Sequence, residues 1–115
     1  MVQLTLTPQN GESFPLMLKL KECRNIAHKE GEATQLVSFS EDLNSNDFIL
    51  LSQWFSFKKD HKDRVSKTVL IGTLKSNEGV VTELGECVVS KVSGKNAAGS
   101  DRVFVSCQII CQTIN

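Results

Sequence analysis

The residue types that do chemistry in proteins are sparse in this sequence, and their spacing does not match known sites. It has four cysteines and two histidines, His28 and His61, in 115 residues. The sequence carries no signature of a serine hydrolase, a zinc protease or a phosphate-binding glycine loop. Glu83 and Glu86 flank Leu84-Gly85, but a glutamate pair on a strand more often faces solvent than acts as an acid and base. We therefore expect no enzyme activity and no cofactor.

The cysteines are predicted to be free thiols. Cys107 and Cys111 lie four residues apart in a predicted strand, so they are roughly 13 Å apart at ~3.3 Å per residue. That distance is too long for a disulfide or for two ligands of one metal ion. Cys23 and Cys87 have no cysteine or histidine at ligand spacing. We expect no metal site, and we expect all four thiols to pack as small hydrophobic side chains.

The densest charge lies in the stretch FKKDHKDRVSK, which is predicted to be a loop between two strands. Its basic residues are Lys58, Lys59, Lys62, Arg64 and Lys67. They outnumber Asp60 and Asp63, so the loop is a candidate for contact with phosphate groups or with a partner. The alternative interpretation is that the loop is a hairpin tip exposed to water, without a binding role. The chain as a whole is neutral, with 13 basic and 13 acidic residues.

The elements that must position these residues are predicted to be β-strands. Apolar and polar residues alternate in VQLTLT and in SFPLMLKLKEC, and turn residues separate the two stretches. Further strands are predicted in ATQLVSFSE, NDFILLSQWFSF, VSKTVLIGTLK, VVTELGECVVSKV and RVFVSCQIICQTI, with a glycine-rich loop at residues 93–101. The best helical candidate, LKECRNIAHKEGE, is not convincing. About seven or eight short strands predict one all-β domain over residues 1–115, an eight-stranded jelly roll or β-sandwich.

Several predicted strands are apolar on both faces, namely those that contain FILL, TVLIGTL and QIIC. In a two-sheet sandwich, one face of each sheet normally meets water. Either a flanking loop covers the second face or other copies of the chain do. We favour other copies, because monomers rarely expose large apolar patches. Trp54, Phe55 and Leu70 are the candidate interface residues, and one of the adjacent Trp54 and Phe55 must point away from the core.

Targeting signals are missing from the sequence. No segment approaches the ~20 apolar residues that cross a bilayer, and the opening MVQLTLTPQ does not resemble a signal peptide. These features favour an intracellular protein that has no membrane partner.

The last strand resembles the end of the nucleoplasmin core domain, in which a Gly-Ser-Gly-Pro turn leads into Val-aromatic-Ile-Ser-Gly-Gln. The positions that match in residue type are Gly99, Ser100, Val103, Phe104, Val105, Ser106 and Gln108. Upstream, IGTLK and Leu84-Gly85 are similar to the two preceding strands of that family. The chain departs from the family by about one extra hairpin between Ala33 and Asp63, and it contains no acidic tract.

The resemblance implies an eight-stranded jelly roll that assembles into a homopentamer or a stacked decamer. It also implies a chaperone of the nucleus, and of the nucleolus in particular, that acts in ribosome biogenesis. Its partners would be histones, ribosomal proteins or other basic proteins, and RNA. The alternative is a monomeric C2-like or immunoglobulin-like adaptor sandwich. Such an adaptor would bind protein or lipid without calcium, since the aspartate clusters of a calcium site are missing.

Overall fold

A computed structural model describes residues 1–11, 13–27, 34–96 and 101–112. Its elements are β1 (Val2–Pro8), β2 (Leu16–Leu20), β3 (Arg24–Ala27), β4 (Thr34–Asn44), α1 (Ser45–Phe55), β5 (Lys58–Lys59), β6 (Val65–Ser66), β7 (Leu70–Lys75), β8 (Val81–Asn96) and β9 (Arg102–Gln112). Within these residues, seven strands form one antiparallel sheet in the order β2-β1-β7-β8-β9-β4-β3, and β5 pairs with β6. The prediction of an all-β fold is confirmed at this coarse level.

Strand β9 shows how the sequence pattern forms the sheet. Its inward side chains are all buried, and they are Val103, Val105, Cys107, Ile109 and Cys111. The residues between them point outward and are exposed or half-buried. The same period of two puts the leucines of β1 and β2 on the inner face. Burial of this face supplies most of the core.

Strand β8 bends the sheet around that core. Its first part pairs with β7 and its last part with β9, and the register shifts once in each ladder. The first shift accompanies Gly85, which has a φ of 77°, and the second leaves Ser90 as the extra residue. Bulges bend a strand and increase its twist. The sheet therefore curls like a sandwich whose two halves share β8.

The two edge strands, β2 and β3, follow each other in the chain. Close to their connection, the backbone N–H of Lys21 donates to Oε2 of Glu41 on β4, at 2.8 Å. This bond joins the end of β2 to the side of the sheet that carries β3 and β4. Curling thus brings the two edges of the sheet towards each other.

The stretch NDFILLSQWFSF was predicted to be a strand, and this prediction is wrong. Residues Ser45–Phe55 form α1, whose first turn is capped by Asn44, since its Oδ1 accepts a bond of 2.9 Å from the backbone N–H of Asp47. Leu51 and Trp54, three residues apart, are buried on the same side of the helix. FILL is therefore not a two-faced strand.

The helical candidate LKECRNIAHKEGE is also not a helix where the structure describes it. Leu20 ends β2, and Arg24–Ala27 form β3, paired with β4. Residues 28–33 lie outside the described part. The first part of the predicted loop at 93–101 is strand, because β8 continues to Asn96. Residues 97–100 lie outside the described part.

The helix packs on the inner face of the sheet near the end of β8. Gly94 lies opposite Val105 on β9. A Cβ at Gly94 would lie 2.6 Å from Cε1 of Phe48 and 2.7 Å from Cγ1 of Val103. Both distances are too short for a side chain, so the missing Cβ lets α1 approach the sheet closely.

The other two stretches predicted to be two-faced are only partly apolar on their outward sides. In TVLIGTL, Leu70 is buried in the core and Ile71 is half-buried. In QIIC, Ile109 is buried and Ile110 is 40% exposed. Much of the outward face beside them is polar, as described below. Among the residues described, no helix has the length and apolar character needed to cross a membrane.

Candidate interaction surface

The basic stretch forms the β5–β6 hairpin, and an aspartate organises its tip. Oδ1 of Asp60 accepts hydrogen bonds from the backbone N–H groups of Arg64, at 3.0 Å, and Lys62, at 2.8 Å. Oδ2 accepts the Nε–H of Arg64 at 2.6 Å. These bonds hold the pKa of Asp60 below its usual value, with the backbone bond from Arg64 contributing most. The acidic residue within the basic stretch therefore has a structural role.

The five predicted contact residues lie in the β5–β6 hairpin or next to it, but their environments differ. Arg64 is paired with Asp60. Lys58 lies opposite Ser66 at the base of the hairpin. Lys59 and Lys62 are exposed near the tip. The side chains of those two lysines are therefore accessible to a partner.

Lys67 has a different environment, at the foot of the hairpin. Its ammonium group donates to the backbone oxygen of Val89 on β8 at 3.0 Å. The same nitrogen lies 4.4 Å from the ring centre of Phe55 and 5.0 Å from that of Phe57. These distances are within the range of cation–π interactions. We call Phe55, Phe57 and Lys67 the aromatic cluster.

The predicted interface residues divide between the core and the surface. Trp54 is 4% exposed and Leu70 is fully buried within the single chain, so their prediction as interface residues is wrong. Phe55 is 38% exposed, and Phe57, which the sequence interpretation did not single out, is 68% exposed. Of the adjacent pair, Trp54 faces the core. Successive helical side chains point in different directions, so Phe55 can lie at the surface.

A second exposed apolar group lies at the other end of β7. Val80 and Val81, at the turn into β8, are 60% and 55% exposed. Lys67, which contacts both rings of the aromatic cluster, lies just before the start of β7 at Leu70, whereas Val80 and Val81 follow the end of β7 at Lys75. Six residues of strand separate the two groups by roughly 17 Å at ~3.4 Å per residue. The chain therefore presents apolar side chains at opposite ends.

The β1–β2 connection lies at the hairpin end. Gln9 and Asn10 line a cavity of about 280 Å³ together with hairpin residues Lys58 and Ser66. Further along the same connection, Phe14 is 90% exposed. Thr68 also lines this cavity; it is 5% exposed, and its Oγ1 has no hydrogen-bond partner.

The outward face of β3, β4, β9 and β8 carries polar side chains in cross-strand rows. One row consists of Arg24, Ser38, Gln108 and Lys91, and the next consists of Ser40, Ser106 and Ser93. The Oγ atoms of Ser40 and Ser106 are 3.0 Å apart. These residues line a groove of about 380 Å³. We call this region the serine face.

The four cysteines are free thiols, as predicted, but Cys87 does not stand alone. It lies directly opposite Cys111 on β9, and the two Sγ atoms are 3.0 Å apart. Burial raises the pKa of Cys23 to about 11 and that of Cys107 to about 12. In the described part of the chain, no group of three or more metal-ligating side chains is present.

Comparison of the chain with family models, with curated proteins and with solved structures finds no match. A function for this chain is therefore inferred from the surfaces described above.

Proposed function

We propose that this chain is a self-assembling β domain without catalytic activity, whose copies join head to tail into a ring. The aromatic cluster of one copy would pack against Val80 and Val81 of the next. The observation that carries the proposal is the presence of these two exposed apolar groups at opposite ends of β7. The outward faces of the strands contribute less to it, because much of their surface is polar.

The geometry favours a head-to-tail contact. Two groups at opposite ends of one strand of a packed sheet do not reach each other within one chain. When different surfaces of identical chains meet, the contact gives a closed ring if the rotation closes and a filament if it does not. Aromatic residues such as Phe55 and Phe57 are enriched in interface cores.

The estimated free energy of one subunit contact explains why closure of the ring matters. Complete burial of a Phe or Val side chain contributes about 1.5–3 kcal/mol. Since Phe55, Phe57, Val80 and Val81 are each only partly exposed, their combined contribution is roughly 3–6 kcal/mol. Association costs about 4–15 kcal/mol. A single contact of this kind is weak, whereas in a closed ring every copy makes two contacts and the last one forms at high effective concentration.

The proposal includes what the nucleoplasmin resemblance implies: a jelly-roll core, a pentamer or stacked decamer, and a nuclear chaperone role. The exposed Lys59 and Lys62 favour an anionic partner over a basic one. Of the implied partners, RNA therefore suits the hairpin tip better than histones do, because its phosphates attract lysine side chains.

A monomeric adaptor is the second candidate, and the serine face favours it. A sheet face with rows of serine, glutamine and lysine side chains can remain in water without a partner copy. Its groove of about 380 Å³ could then hold part of a bound protein or lipid headgroup.

The mass of the particle in solution separates the two candidates. Light scattering at micromolar concentration should give several chains per particle for the ring. Phe57→Ser should dissociate it, because this change removes the most exposed ring of the cluster. Met17→Ser is the matched control, since Met17 is 60% exposed on β2, outside both groups. A wild-type protein that stays monomeric at this concentration would eliminate the ring and leave the adaptor.

Binding to RNA is tested separately from assembly. The double variant Lys59→Glu, Lys62→Glu should lose affinity for single-stranded RNA in fluorescence anisotropy while the particle mass stays the same. Lys19→Glu, Lys95→Glu changes charge equally at exposed lysines on β2 and β8, outside the hairpin and both apolar groups, and it should bind as the wild type does. If the hairpin variant binds RNA as tightly as the control variant, the tip is not the contact.

A further inference from the structure

Two buried thiols lie next to each other at the centre of the sheet, and neither takes part in the proposed assembly. Cys87 on β8 and Cys111 on β9 are 1% and 0% exposed, and their Sγ atoms are 3.0 Å apart. The sequence separates them by 24 residues, so only the register of β8 and β9 brings them together. We propose that this pair is a modification site, which hydrogen peroxide converts reversibly into an intramolecular disulfide.

The backbone geometry suits a disulfide. Directly opposed residues on antiparallel strands have Cα atoms about 4.5–5.5 Å apart. That range lies within the ~4.4–6.8 Å between the Cα atoms of bonded cysteines. Both side chains lie on the inner face of the sheet, so a small rotation of each brings the sulfur atoms to bonding distance.

The neighbouring strand β7 leaves space for the pair. A Cβ at Gly72 would lie 2.8 Å from Sγ of Cys87, so any larger residue would push against this sulfur. The hydrogen bond shared with Cys111, and a backbone hydrogen bond from Gly72, lower the pKa of Cys87 against the opposing effect of burial. The pKa of Cys111 is raised, chiefly by its hydrogen bond with Cys87. The hydrogen bond from the Gly72 backbone stabilises the thiolate of Cys87, so Cys87 is taken as the attacking thiol and Cys111 as the resolving thiol.

The reaction balances with hydrogen peroxide as the oxidant. The Cys87 thiolate attacks one peroxide oxygen, and the O–O bond breaks. The departing hydroxide takes up a proton to become water, and Cys87 is left as a sulfenic acid. The sulfur of Cys111 then attacks that of Cys87, and the S–O bond breaks to release a second water. In total, two thiols lose two electrons and two protons, the peroxide is reduced to two waters, and a thiol reductant reverses the change.

The other two cysteines provide controls within the same protein. Cys107 is equally buried and lies on the same face of β9, but its partners across the strands are Phe39 and Val92. Cys23 is half-buried on the β2–β3 connection. Cys23→Ser removes the most accessible thiol and serves as the background for the test.

In this background, the folded protein is treated with hydrogen peroxide, then denatured and labelled with a maleimide. We expect the number of labelled thiols to fall from three to one, the mass to fall by two hydrogens, and a peptide map to link Cys87 to Cys111. Dithiothreitol should restore all three. Adding Cys107→Ser should leave the crosslink, whereas adding Cys111→Ser should abolish it. Three labelled thiols after treatment, or a link through Cys107, would overturn the proposal, whether or not the protein forms a ring.

Discussion

The contact of α1 with Gly94 gives the sharpest test of the fold, through the substitution Gly94→Ala. The new Cβ would lie 2.6 and 2.7 Å from two ring carbons of Phe48 and 2.7 Å from Cγ1 of Val103. Overpacking of this kind costs about 1–3 kcal/mol. Replacing a strand glycine by alanine gives back roughly 0.5–1 kcal/mol. The net loss of stability is therefore at most about 2.5 kcal/mol and centred on ~1.2 kcal/mol, or a fall in Tm of roughly 5 °C for a chain of this size.

Urea unfolding followed by fluorescence is a suitable assay, because the chain has one tryptophan, Trp54, and it is buried on α1. Ser93→Ala, at the exposed neighbouring position, should change stability by less than about 0.5 kcal/mol. Phe48→Leu should be less harmful with Gly94→Ala than alone, since the smaller side chain makes room for the new methyl group. A Gly94→Ala protein as stable as the wild type, or strictly additive effects in the double variant, would refute the packing derived for α1.

Three further predictions concern the hairpin and the helix. Lys67→Met removes the hydrogen bond to Val89 and the ring contacts, so it should lower the free energy of unfolding by about 1–2 kcal/mol in urea titrations. The pKa of Asp60 is lowered in the fold, so its contribution to hairpin order is present above the usual carboxyl range and is lost as pH falls through the lowered pKa. Amide NMR shifts of the tip should follow that loss, and Asp60→Asn should shift them at neutral pH. Leu51→Ala should lower the free energy of unfolding by about 2–5 kcal/mol in urea titrations. Ile49→Ala should lower it much less, because Ile49 is half-exposed on the same helix.

The sequence predicted strands well where large apolar residues recur at every second position. In β1, β2 and β9 the alternation of residue types follows the alternation of burial. The helix was missed because Phe48 to Leu51 form an unbroken apolar run, which has neither the period of a strand nor that of a helix. Its clearest local signal was the cap, in which Asn44 stands three residues before Asp47.

Register explains most of what the sequence could not predict about the candidate sites. Cys87 and Cys111, or Ser40 and Ser106, are neighbours only because β8, β9 and β4 pair with particular offsets. The two bulges of β8 change these offsets, and only the first has a local signal, the glycine at position 85 inside a strand pattern. The basic stretch, in contrast, could be recognised from its composition, although the separate environments of its cations depend on folded contacts such as that of Lys67 with Val89.

The short link between β2 and β3 has a consequence for local unfolding of the molecule. The edge strands β2 and β3 and the link between them form one continuous segment, which we call the corner. The hydrogen bond from Lys21 to Glu41 connects this corner to β4. Edge strands have hydrogen-bonded neighbours on one side only, so they open at lower free energy than central strands do. The corner should therefore detach as one cooperative unit, and its amide protons should exchange with deuterium long before those of β9. A transient opening of that kind would also give small solutes a way into the interior.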